Sequence, residues 1–80
     1  MSTSYERTFR ADLLKRYLAE TAGRALELGT PQAEDLALRA GVLANELLLP
    51  DYDSDEALDA AERQYREMEA ELARMQGDAG

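Results

Sequence analysis

Residues 26–36 read LELGTPQAEDL, and this stretch decides how the chain folds. Glycine adopts the left-handed conformation that ends many helices, so Gly29 marks a helix C-terminus. Thr30 is a preferred N-cap residue, and Pro31 suits the first position of a helix because its missing N–H has no intrahelical partner there. One helix therefore ends almost where the next begins. Two helices joined so closely are predicted to pack as an antiparallel hairpin.

The two helices of this hairpin extend in both directions from Gly29. Thr3 and Glu6 form a capping box, in which each side chain bonds to the backbone of the other, so the first helix is predicted over residues 4–28. The second helix is predicted over residues 31–49, because the proline that follows restricts the residue before it to extended backbone.

A third helix is predicted over residues 54–75, with Asp53 as its N-cap and Glu56 in its first turn. Residues 77–80 are predicted to fray as a C-terminal tail, which leaves residues 1–76 as a single domain. The fold class that follows is all-α, a small three-helix bundle.

The third helix carries apolar residues at an unbroken spacing of three and four, which is typical of a coiled-coil seam. These residues are Leu58, Ala61, Tyr65, Met68, Leu72 and Met75. Acidic side chains flank this seam and would repel a parallel copy of the same helix. The more basic first helix is therefore the expected packing partner.

The second helix has two apolar stripes on nearly opposite sides. One stripe contains Leu36, Ala40, Leu43 and Leu47, and the other contains Leu38, Val42 and Leu49. A helix with two apolar stripes is typically enclosed between neighbours, so we expect the third helix to fold back and bury the second stripe. Otherwise that stripe forms an exposed docking strip.

The composition excludes most catalytic chemistry. The 80 residues contain no His, Cys or Trp, so no side chain titrates near neutral pH, and no thiolate or imidazole is present to bind a metal. We expect no enzyme activity, no catalytic residue, no bound metal and no cofactor. No stretch approaches the roughly 18 apolar residues of a membrane span, and the N-terminus lacks the apolar core of a signal peptide. We therefore expect a cytoplasmic protein with no membrane partner.

Acidic charge is concentrated in the last third of the chain. The net charge is −8; residues 1–50 hold seven acids and six bases, whereas residues 51–80 hold ten acids and three bases. One interpretation is that the first and last helices lie side by side and partly neutralise each other. The other is that the carboxylates of the third helix imitate the phosphates of a nucleic acid and occupy a basic groove on another protein.

Residues 51–62 resemble the calcium loop of EF-hand proteins. Acids occupy loop positions 1, 3, 5, 9 and 12, where a hard cation needs several converging oxygens, and this resemblance implies a single calcium site. The sequence departs from the family at position 6, where Glu56 stands in place of glycine, and no second loop is present to pair with it. The same acids suit a helix N-terminus, and this interpretation is preferred because it requires no strained turn.

Asp53 and Ser54 resemble the Asp-Ser pair of acyl carrier proteins, which are small, acidic and helical. The resemblance implies Ser54 as the attachment point of a phosphopantetheine arm. The sequence departs from the family because Asp55 follows the serine where an apolar residue is usual, and only 26 residues remain after it.

These observations predict a non-catalytic acidic helical module for protein–protein interaction. We expect a small regulator or inhibitor that docks its third helix on a basic, nucleic-acid-binding surface of a partner protein, as a phage-type antagonist or nucleic-acid mimic does, without binding nucleic acid itself. The expected partner-binding residues are Asp55, Asp59, Glu62, Glu67, Glu69 and Glu71, with apolar contacts from Leu38, Val42, Leu49 and Tyr52. The alternatives are a structural adaptor that forms a homodimer or a larger hetero-oligomer, and a single calcium site at residues 51–62.

Overall fold

A computed structural model describes residues 3–48 and 54–79 of the chain, with side chains up to residue 77. Within these ranges the chain forms three helices, α1 (Ser4–Leu28), α2 (Pro31–Glu46) and α3 (Asp55–Ala79), and no strand. The helices pack against one another. The predicted all-α three-helix bundle is confirmed.

The predicted cap residues of α1 and the N-cap of α2, namely Thr3, Gly29 and Thr30, are confirmed. Thr3 accepts a hydrogen bond from the Glu6 backbone N–H at 3.1 Å, and its hydroxyl donates to the Glu6 carboxylate at 3.2 Å. Gly29 has a φ of 68° and ends α1 in the left-handed conformation. Thr30 accepts from the backbone N–H of Ala33 at 3.1 Å and so caps α2.

The end of α2 differs from the prediction. The helix stops at Glu46 rather than at residue 49, because the Leu48 N–H bonds to the Asn45 carbonyl at 3.1 Å, three residues back. That shorter hydrogen bond tightens the chain into a turn after the last regular helical bond. Residues 49–53 lie outside the described part of the chain.

Both ends of α3 differ from the prediction. Ser54 caps the helix, since its hydroxyl accepts from the Ala57 N–H at 3.2 Å and its carbonyl accepts from the Leu58 N–H at 3.1 Å. Asp53, the predicted N-cap, lies outside the described residues. The helix continues past the predicted end at residue 75 to Ala79. Gly77 does not stop it, because among the described residues only Gly29 has a positive φ.

The core lies along the axis of the bundle and is built from small and branched apolar side chains. Leu18, Leu36, Leu58 and Leu72 are its largest fully buried members. Among the residues that the structure describes, the one polar side chain buried with them is Thr21, whose hydroxyl donates to the Tyr17 carbonyl at 2.9 Å and is thereby satisfied. The predicted seam of α3 supplies Leu58, Ala61, Met68 and Leu72 to this core, so the third helix folds back as expected.

The second stripe of α2 stays outside the core, which corrects the prediction. Leu38 is 67% exposed and Val42 is 48% exposed, although α3 has folded back. The reason is that α3 packs against the Leu36 stripe and leaves Leu38 and Val42 at the open border between α2 and α3. Leu38 and Val42 of the second stripe are therefore exposed to solvent.

Candidate interaction surface

Arginines of α1 form ion pairs with acidic side chains on the flank of α3 that faces α1. Arg10 of α1 donates to Asp59 at 2.9 Å and to Glu62 at 3.3 Å, and its guanidinium lies 3.7 Å from the Asp55 carboxylate. One guanidinium thus gathers three carboxylates from successive turns of α3. Glu62 also accepts from Arg66 on its own helix at 2.6 Å.

A second arginine closes the same flank nearer the C-terminus. One terminal nitrogen of Arg24 donates to both oxygens of Glu69, at 2.6 and 2.8 Å. The Tyr65 hydroxyl donates to the same carboxylate at 3.0 Å, and its ring stacks on Tyr17 of α1 with the centroids 5.9 Å apart. Burial and the bond to Glu69 raise the pKa of the Tyr65 phenol above its ordinary value.

These contacts fix the direction of each helix. Arg10, near the start of α1, meets the start of α3, and Arg24, near the end of α1, meets the later residue Glu69. The two long helices therefore run parallel. The middle helix α2 runs antiparallel to both, as the short link through Gly29 requires.

The flank of α3 that faces α2 is closed at one point by Arg39. Its two terminal nitrogens donate to the two oxygens of Glu71 at 3.2 and 2.9 Å, and its Nε donates to Asp35 at 3.2 Å. This paired geometry is the strong form of an arginine–carboxylate contact. The Arg39 guanidinium lowers the pKa of the Glu71 carboxyl below its ordinary value, and partial burial opposes that shift.

An open groove lies beside this contact, between α2 and α3. Leu43 and Met68 are the buried apolar residues that line it, and the exposed Leu38 and Val42 line it from α2. The groove has a volume of about 340 Å³, and its polar lining consists of Arg39, Glu46, Gln64, Glu67 and Glu71. We refer to these nine residues as the α2–α3 groove. A wider hollow lined by Pro31, Gln32, Asp35, Arg74 and Met75 continues beyond the Arg39–Glu71 contact, which borders both.

The structure separates the predicted partner-binding residues into three sets. Five of the six acidic residues predicted to bind a partner form ion pairs with arginines of α1 or α2, and these five are Asp55, Asp59, Glu62, Glu69 and Glu71. Glu67 lies exposed in the α2–α3 groove, together with Leu38 and Val42. Leu49 and Tyr52 lie outside the described residues.

Sequence reasoning missed the arginines that organise this surface. The complementary charge of the first and last helices predicted that they lie side by side, and Arg10 was among the bases that made that pattern. Arg24 and Arg39 gave no comparable signal, because Arg24 lies eight residues after the nearest base of α1 and Arg39 is the one base of α2. The aromatic residues Tyr5 and Phe9 of α1 are 80% and 55% exposed.

A second, smaller cavity of about 220 Å³ lies between α1 and α3 beneath Arg10. Leu13, Leu14 and Leu58 line it with the stacked rings of Tyr17 and Tyr65, and Glu62 completes its border. The charged groups at its edge are engaged with one another, since Arg10 donates to Glu62 there. Apolar side chains and aromatic rings therefore form most of its lining.

The described residues give no support to a metal or cofactor site. No group of three or more potential metal ligands converges within residues 3–48 and 54–79. Residues 55–62, two thirds of the loop that resembles a calcium site, are regular helix, and three of their carboxylates form ion pairs with Arg10. Ser54, which resembles the modified serine of acyl carrier proteins, uses its hydroxyl oxygen to cap α3.

Comparison with known proteins adds no assignment. The chain matches no family model, no curated protein and no solved structure. Across the part of the chain that the structure describes, no helix is both long enough and apolar enough to cross a membrane.

Proposed function

We propose that the protein is a non-catalytic interaction module that binds a basic surface of a partner protein through the α2–α3 groove. The observation that carries this proposal is the exposure of Leu38 and Val42 beside a groove bordered by carboxylates. Apolar residues that a small domain leaves exposed in a contiguous patch commonly mark an interaction site. Carboxylates around such a patch favour a partner that presents Lys or Arg around an apolar side chain.

The net charge of −8 supports the same kind of partner. Long-range attraction between an acidic module and a basic surface raises the association rate, and added salt weakens it. The proposed partner is basic, as the sequence predicted, but it contacts the α2–α3 groove instead of the flank of α3 that faces α1. The carboxylates on that flank form ion pairs with Arg10 and Arg24, so they stabilise the packing of α3 against α1.

The adaptor interpretation draws on the same exposed stripe, since Leu38 and Val42 are also suited to self-association. In a symmetric dimer the same patch meets itself, which brings Glu67 and its acidic neighbours close to their own copies. Like charges disfavour that arrangement. The basic foreign partner is therefore the preferred occupant, and the dimer is an outcome that the experiment distinguishes.

The test is affinity capture with the full chain and three variants as baits. The double variant Leu38→Glu with Val42→Glu is expected to lose a partner that the unchanged chain retains. Leu26→Glu on α1 is the matched control, because Leu26 is exposed to a similar extent and does not line the groove. Glu67→Lys is expected to weaken capture and to reduce its dependence on salt.

Two results would overturn the proposal. Identical capture by all four baits would remove the groove from the interaction. A dimer in light scattering that the double variant disperses would assign the exposed stripe to self-association. Reversal of Glu62, Glu69 or Glu71 is unsuitable for this test, because it breaks contacts that hold α3 on the bundle.

A further inference from the structure

The geometry of the α2–α3 groove points to a particular kind of partner segment, and this inference rests on the function proposed above. We infer that the partner presents a basic amphipathic α-helix, which lies along the groove and completes a four-helix bundle. The groove separates two antiparallel helices and, with the hollow beyond Arg39, extends over the length of α2. Sixteen residues of helix span about 24 Å, enough for about four turns of an added helix.

The backbone around the groove favours a helix over an extended segment. The lining residues belong to α2 and α3, in which the backbone N–H and C=O groups are bonded within each helix. An extended peptide would find no open strand edge there and would leave its own backbone groups without protein partners. A helix satisfies its backbone internally and needs only side-chain contacts.

The apolar residues match the spacing that a helix presents. Leu38 and Val42 are one turn apart, and Leu43 and Met68 lie buried next to them. A partner helix with apolar residues at positions i, i+3 or i+4, and i+7 would place successive side chains along this line. Contact over so short a line predicts dissociation constants in the micromolar range rather than tighter.

The charges around the groove define the flanks of the partner helix. Glu46, Glu67 and Glu71 line it, and Arg39 is the one base among the lining residues. Arg39 is already bound by Asp35 and Glu71. Lysines or arginines beside the apolar stripe of the partner would meet the acidic lining.

The experiment measures binding of labelled synthetic peptides by fluorescence anisotropy. The first peptide, of about 18 residues, carries Leu at a and d positions and Lys at the flanking positions of a helix. A second replaces two central residues with Pro, which breaks the helix and preserves the net charge. A third has Glu in place of each Lys. Each peptide is titrated against the unchanged chain, the variants Leu38→Lys with Val42→Lys and Glu67→Lys, and the controls Leu26→Lys and Glu27→Lys on α1.

The helical basic peptide is expected to bind the unchanged chain and to gain helical circular dichroism when bound. Its affinity should fall by about tenfold or more with the double groove variant, which inserts two charges into an apolar contact, and by about threefold with Glu67→Lys. The α1 controls should remain within about twofold. Thermal melts of every variant confirm folding, which the exposure of these positions favours.

The outcomes separate this inference from the function that it extends. Equal binding of the helical and proline-containing peptides, with loss in the groove variant, overturns the helical partner and leaves the basic docking groove in place. Equal affinity of the groove variant and the α1 controls overturns both proposals. Tighter binding of the Glu-substituted peptide overturns the charge assignment.

Discussion

The two flanks of α3 meet the hairpin in different ways. On the α1 side, Arg10 and Arg24 contact four carboxylates of α3, and the rings of Tyr17 and Tyr65 stack between them. On the α2 side, Arg39 alone makes an ion pair with Glu71 among the contacts described, and an open groove lies next to it. The difference shows that one flank of an acidic helix can hold the bundle together while the other flank stays exposed to solvent. The arginines of α1 form ion pairs with one flank of α3. The leucine and valine of α2 form no such contacts, and a groove remains beside the other flank.

The largest expected effect is the difference in the free energy of unfolding between variants of a buried leucine and of an exposed leucine. Leu72→Ala removes a fully buried side chain from α3 and should lower the free energy of unfolding by about 2–5 kcal/mol. Leu38→Ala, on the exposed stripe of α2, should change it by less than about 0.5 kcal/mol. Chemical denaturation of both variants measures the difference. Equal losses would contradict the placement of α3 against the Leu36 stripe.

A smaller effect distinguishes Arg24 and Arg39, which form ion pairs with the two flanks of α3. Arg24→Met and Arg39→Met should each lower stability by about 0.2–1 kcal/mol, the range for partly exposed ion pairs. Their effects on the basic helical peptide should diverge. Loss of Arg39 removes the one base from the groove and should tighten peptide binding by about two- to threefold, whereas loss of Arg24 should leave it unchanged.

Denaturation and anisotropy on the same samples of these two variants give both quantities. An equal change in affinity for both arginine variants would show that net charge, rather than the groove, controls peptide binding.

The smallest effect concerns pH and the same Arg39–Glu71 contact. Because the pKa of Glu71 is lowered in the folded protein, its contribution to stability is present above the unfolded pKa and is lost as the pH falls through the folded value. Stability should therefore decline below about pH 4.3, and Arg39→Met should reduce that decline. Carboxyl NMR titration of the folded protein should place Glu71 below the ordinary glutamate pKa, and an unshifted titration would contradict the contact.

The hairpin was predictable from sequence because its signals are local. Gly29 and the pair Thr30–Pro31 fix the end of one helix and the start of the next within three residues, and the structure confirms both. The start of α3 was misplaced by one position, because adjacent Asp53 and Ser54 both suit an N-cap. Its end was placed too early, since Gly77 permits a stop without requiring one.

The candidate interaction surface was less predictable because it depends on which side of the hairpin α3 packs against. The two apolar stripes of α2 were visible in the sequence, but the side that α3 covers is a property of the tertiary arrangement. The acids of α3 were equally visible, and their pairing depends on the positions of single arginines on other helices. The sequence therefore predicted the components of the site, and the packing determined which of them remain exposed.

The most direct test of the account is NMR mapping of the peptide site. The ¹⁵N-labelled full chain is titrated with the basic helical peptide, and amide shifts are followed along all three helices. The account predicts that the largest shifts cluster in residues 38–46 of α2 and 64–71 of α3, the segments that line the groove. Shifts centred instead on exposed Tyr5 and Phe9, or spread evenly over the acidic residues, would contradict it.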